Sequence, residues 1–137
     1  MGVILDSSIL IAAERAGQTV RQILTDVRAA QGEIDIGISV VTMAELFHGA
    51  YRADSEARQQ RRLEFIAELR RDVPLYPVTF EVVRLVGKIG GQQAAKGVRI
   101  PFEDLVIGAT ALDLGYSVAT RNVRHFRLIP DLPVVQL

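Results

Sequence analysis

The chain alternates between two hydrophobic periods, and this restricts its fold to very few architectures. Val3-Ile4-Leu5, Ile34 to Val41 and Tyr116 to Thr120 are short and almost wholly apolar. Such runs suit parallel strands buried on both faces. Between them lie stretches whose apolar residues recur at three and four, as helices require. Val20, Ile23, Leu24 and Val27 form one such stretch, and Leu63, Ile66, Ala67 and Leu69 another.

Ser7 or Ser8 caps a helix beginning at Ile9, and Gly17 closes it. Helices are expected over Thr42 to about Ala53, about Ser55 to Arg71, from Phe80 past Ile89, and Phe102 to Leu114 before Gly115. Pro74 and Pro77 confine Leu75-Tyr76 to an edge strand. Val98 to Ile100 is strand-like until Pro101, and Leu132 to Leu137 is a last strand interrupted by Pro133. The order β-α-α-β-α-α-β-α-α-β-(short α)-β predicts a three-layer α/β/α domain around a mainly parallel sheet. At 137 residues it is expected to be a single domain spanning 1–137.

Composition removes several chemistries. There is no Cys, so disulfides, thiolate nucleophiles and zinc-thiolate sites are excluded. No apolar stretch approaches the roughly 20 residues needed to span a bilayer, and no signal peptide is evident, so a cytoplasmic protein is expected. Hydrophobic residues make up 49% of the chain, enough to suggest an apolar association surface and a homodimer. The net charge of zero argues against a broad polycationic face, yet of 16 basic residues only Lys88 and Lys96 are not arginine. Arg58, Arg61, Arg62, Arg70 and Arg71 share one helical stretch, which reads as a solvated face. Arg121 and Arg124 are better placed for phosphate contact.

In sheets of this kind ligands bind beyond the carboxyl ends of strands. Asp6, Glu45 and Asn122 fall at or shortly after those ends, and Asp104 reaches the same edge if its helix begins there. Each has an ordinary alternative. Asp6 and Asn122 are plausible helix caps. Thr42 to Glu45 fits a capping box, and Glu103 and Asp104 suit the first turn of a helix. Together, three converging carboxylates would repel one another and raise each other's pKa. A hard divalent cation such as Mg²⁺ or Mn²⁺ removes that cost, binding oxygen ligands and keeping several waters.

Four segments carry a family resemblance in order and with suitable spacing: Leu5 to Ile11, Ser39 to Gly49, Pro101 to Ala111 and Ala119 to Phe126. They resemble the successive signatures of the PIN-domain family, most closely its VapC-type toxins. The resemblance implies a Mg²⁺- or Mn²⁺-dependent endoribonuclease, a homodimer, and a small cognate VapB-type antitoxin that obstructs the acidic pocket. It puts the three principal acids on Asp6, Glu45 and Asp104. The fourth, less constant acidic position falls on Asn122, an amide that offers a carbonyl oxygen but no charge. Ser8 and Thr120 match supporting polar positions, and Glu103 is a further candidate.

His48 reads as a partly buried structural residue and His125 as packing or capping. Gly87, Gly90 and Gly91 read as helix-packing or bend positions. A phosphohydrolase with Asp6 as nucleophile is disfavoured, because Ser8 stands where a second Asp is wanted. A phosphoacceptor receiver lacks its paired acids and its Lys. A non-catalytic, RNA-binding PIN fold is the remaining alternative, with Asn122 leaning towards it.

Overall fold

The computed structural model describes residues 1–137 and contains five strands and seven helices. In chain order they are β1 (Gly2–Leu5), α1 (Ser7–Arg15), α2 (Val20–Gln31), β2 (Asp35–Ser39), α3 (Val40–Tyr51) and α4 (Glu56–Asp72). They continue with β3 (Leu75–Tyr76), α5 (Phe80–Ala95), α6 (Phe102–Leu114), β4 (Ser117–Thr120), α7 (Val123–Phe126) and β5 (Val134–Gln136). The strands form one sheet in the order β3-β2-β1-β4-β5, and every pairing is parallel.

Alternation along the central strand β1 builds the layers. Val3 and Leu5 point into one core with residues of α1, α2, α3 and α4. Ile4 points into the other, with residues of α5, α6 and α7. All four β1 residues are buried, as the uninterrupted apolar run requires. Helix α6 is enclosed more completely than the rest, since Leu105 to Ala111 are buried without a break. A helix apolar all round belongs in an interior, and the buried run of this one begins at Leu105, directly after Asp104.

The prolines lie where strand hydrogen bonding permits. Pro74 and Pro133 use their carbonyls, accepting from Ile38 and Val118 at 3.0 Å, beside the edge strands β3 and β5. An edge strand has no second neighbour to miss the absent N–H. Gly115 ends α6 with φ of 70°, a left-handed turn that glycine adopts without a Cβ penalty.

Three expectations are corrected. The second strand ends at Ser39 rather than Val41, because the Ser39 hydroxyl accepts from the Val41 N–H at 3.2 Å and starts the helix there. Val98 to Ile100 form no strand, since the Val98 N–H bonds the Gln93 carbonyl at 2.9 Å and closes α5 instead. Of the three glycines of α5, only Gly90 is a packing position, where a Cβ would lie 3.2 Å from Leu105. No helix is long and apolar enough to cross a membrane.

Ile107 is fully buried, so Ile107→Ala should cost about 2–5 kcal/mol in urea-monitored unfolding. Gly87 is helical with open space around its Cα. Gly87→Ala should therefore stabilise by roughly 0.5–1 kcal/mol in the same measurement.

Candidate acidic site at the carboxyl edge of the sheet

Asp6 follows β1 directly and is the N-cap of α1. Its backbone N–H extends the ladder to the Ala119 carbonyl at 2.9 Å. One carboxylate oxygen, Oδ2, accepts from the Ser8 hydroxyl at 2.7 Å and the Thr120 hydroxyl at 2.8 Å, with the Ser8 N–H at 3.4 Å. The Thr120 hydroxyl has a single proton, and the short bond to a charged acceptor claims it over the Asn122 carbonyl at 3.2 Å. Both hydroxyls also accept: Ser8 from the Arg121 N–H at 3.1 Å, and Thr120 from the Asn122 N–H at 3.0 Å. The loop after β4 is thereby tied to the start of α1 through Asp6. Its Oδ1 makes no hydrogen bond within the protein and stays available.

Glu45 lies in the second turn of α3 and accepts from the Ser7 hydroxyl at 3.1 Å. The capping-box alternative is thus wrong: Ser39 is the cap, and Thr42 is an internal residue whose buried hydroxyl has no partner. Burial pushes the Glu45 carboxyl up to about 7, and the charges of Glu103 and Asp6 push the same way, against the Ser7 bond. Asp104, in the first turn of α6, is also raised by burial and by Asp6 and Glu103, while its hydrogen bond from His125 opposes the shift. The 2.9 Å contact joins His125 Nδ1 to Asp104 Oδ2, leaving Asp104 Oδ1 uncommitted.

Asp6, Glu45, Glu103 and Asp104 therefore lie close enough to sense one another's charge. They do not form a closed cage, for no group of three or more His, Asp or Glu side chains is positioned to hold an ion by itself. An open, all-oxygen arrangement with free Oδ1 atoms on Asp6 and Asp104 fits a hard cation that keeps most of its water. Mg²⁺ commonly takes only one or two protein carboxylates.

The remaining sequence candidates separate. Ser8 and Thr120 join the site through Asp6. Asn122 occupies the N-cap of α7, but its side chain makes no capping bond. Arg121 turns to a cavity between α1 and α2, lined by Ile9, Ala12, Ile23 and Leu137 among others. Arg124 is exposed on α7. His48 is exposed rather than partly buried. His125, read as packing or capping, instead bonds Asp104. His125 and Asp104 lie 21 positions apart, which hides the pair in the sequence, and only the return of α7 to the start of α6 joins them.

With this geometry defined, likeness to known proteins has a specific meaning. The PIN domain model matches residues 3–132, and the chain belongs to the PIN-domain family. Ribonuclease VapC1 of Rickettsia felis is 31% identical over 135 residues, covering 98% of this chain and 96% of that protein. A ribonuclease VapC of Rickettsia bellii gives the same identity and coverage. Among solved structures, VapBC-1 from nontypeable Haemophilus influenzae superposes with a TM-score of 0.81 at 25% identity, covering 99% of this chain and 98% of that one. VapBC2 of Rickettsia felis, bound to a promoter DNA fragment, superposes with a TM-score of 0.83 at 21% identity, covering 100% and 99%.

The raised Glu45 carboxyl has a definite sign. Its folded value of about 7 lies above the ordinary 4.5, so its contribution to stability is present below about 4.5 and is lost as pH rises through 7. The upward shift of Asp104 acts in the same direction. In EDTA, the protein should melt at a lower temperature at pH 7.5 than at pH 5.5, and Glu45→Gln should reduce that difference. An unchanged pH dependence in Glu45→Gln would refute the assignment.

Proposed function

We propose that the chain is a metal-dependent endoribonuclease toxin that cleaves RNA phosphodiester bonds and is neutralised by a cognate VapB-type antitoxin. The observation that carries this reading is the fixed Asp6 carboxylate. Two hydroxyls hold Oδ2, and Oδ1 is free beside the carboxylates of Glu45 and Asp104. Burying mutually repelling acids costs stability, and that cost is explained by a cation.

Asp6, Glu45 and Asp104 would hold Mg²⁺ or Mn²⁺, directly or through water. When bound, the cation activates the attacking water and offsets charge on the phosphoryl oxygens. Ser8 and Thr120 aim Asp6 by donating to one of its oxygens. Ser7 orients Glu45. His125 fixes the rotamer of Asp104, as outer-shell partners of metal-binding carboxylates do. Glu103 adds negative charge at the mouth, and Asn122 contributes only an amide. The site is accordingly proposed to bind one cation firmly and a second weakly or not at all. Arg121 and Arg124 flank the end of β4 and are candidates for substrate phosphate contact.

The relatives' names support ribonuclease activity, and the VapBC structures support an antitoxin partner. We read residues 1–137 as one functional unit that pairs with a second copy of itself. Exposed Phe80, Val83 and Phe102 supply apolar surface for such pairing. A binding-only PIN fold is favoured by Asn122 alone, and the three retained acids count against it.

Purified protein should cleave RNA with Mg²⁺ or Mn²⁺, and Asp6→Asn or EDTA should abolish cleavage in a gel assay. Equal degradation by the parent and Asp6→Asn would place the nuclease site elsewhere. Loss of the His125 bond should weaken Mn²⁺ binding about 10–100-fold in His125→Ala, read by calorimetry independently of activity.

A further inference from the structure

The arginines of α4 do not form a uniform solvated face. Arg58, Arg61 and Arg62 meet Arg15 and Glu14, from the last turn of α1, across a groove of about 350 Å³ with no apolar residue in its lining. The positive charge is only partly answered from within the protein. Arg58 pairs with Asp54 at 3.1 Å, and Arg62 donates to the Gly49 carbonyl at 2.9 Å. Arg15 and Arg61 have no place among the five ion pairs of the structure and are exposed. Several guanidinium groups around one concavity repel one another, and folding alone gives no reason to gather them.

The groove adjoins a second hollow. Glu14, Arg15 and Arg62 line a second, smaller cavity of about 70 Å³ as well, and its wall includes Glu45 together with Phe65 and Ile66. The guanidinium-lined groove thus shares three wall residues with a hollow whose lining includes one of the three acids. A polyanion lying along it would bring its chain to the acidic site, and a planar guanidinium fork matches phosphate oxygens in two-point contact.

We propose that the groove between α1 and α4 is a binding track for single-stranded RNA, in which Arg15 and Arg61 contact two backbone phosphates on the approach to Glu45. This rests on RNA being the substrate, and it assigns the principal phosphate contacts to this side of the site rather than to Arg121 and Arg124. A wholly charged lining favours a sugar-phosphate backbone over an acidic polypeptide, which would bring apolar side chains with no counterpart in the groove. Phosphate contacts of this kind position the strand without reading its sequence.

The test is fluorescence anisotropy of the full chain with a fluorescein-labelled oligouridylate, in EDTA so that no cleavage occurs. Arg15→Gln/Arg61→Gln should weaken binding roughly tenfold or more, and should flatten the plot of log affinity against log salt by about 1.4, or about 0.7 for each of two phosphates. Arg61→Lys should retain most of the salt slope. Arg70→Gln/Arg71→Gln, on the same helix but outside the groove, should bind as the parent does. Unchanged binding in Arg15→Gln/Arg61→Gln, or an equal loss in Arg70→Gln/Arg71→Gln, overturns the proposal. So does a parent protein that binds polyglutamate through Arg15 and Arg61 but not the oligouridylate, which would make the groove a site for an acidic protein segment. The nuclease reading fails by a different result: RNA bound through these arginines, yet no Mn²⁺-dependent cleavage that Asp6→Asn removes.

Discussion

Most of what is distinctive here depends on one carboxylate oxygen. Asp6 Oδ2 accepts hydroxyl protons from Ser8 on α1 and Thr120 at the end of β4, residues 112 positions apart in the chain. Those hydroxyls in turn accept the backbone N–H groups of Arg121 and Asn122. A single buried charge thereby closes the first helix onto the fourth strand and orders the loop behind it. Hydrogen bonds to an ionised acceptor are shorter and stronger than neutral ones, which suits a junction that must be rigid. They also leave the opposite oxygen free, so the same interaction serves the fold and keeps an unpaired carboxylate oxygen at the edge of the sheet.

The sheet surrounding that junction is built to keep the acids apart from the apolar cores. Both faces of β1 are buried, so no polar group is tolerated until the strand ends, and Asp6 is the first residue able to carry a charge. Helix α6 repeats the arrangement: its middle is enclosed, and exposed Glu103 and half-buried Asp104 occupy its first turn. The acids therefore collect at one edge because the interior excludes them elsewhere. Burial first, and their mutual repulsion second, push Glu45 and Asp104 upward, a stability cost borne at a place suited to binding a cation.

Much of this was legible in the sequence, for identifiable reasons. Asp6 and Asp104 sit at junctions where a change in hydrophobic period is visible locally. Glu45 is legible as a candidate residue, but its local context is not. Nothing in Thr42-Met43-Ala44-Glu45 shows that Ser39 has already started the helix, because Val40 and Val41 suit a strand equally well. His125 carries no local sign of its role, because its partner lies on another helix. The α4 arginines look like a solvated face in the sequence, which does not show which helix lies opposite.

What the sequence determined by itself is the alternation of buried strands and amphipathic helices, and with it a parallel three-layer domain whose acids must gather at strand ends. Periodicity and burial are local properties, so one chain is enough to read them. Tertiary structure alone decided which hydroxyls hold Asp6, that His125 reaches Asp104, and that Arg15 faces Arg61 across a groove between α1 and α4. These are meetings of side chains distant in sequence, fixed by how the helices pack against the two faces of the sheet, and no local pattern encodes them.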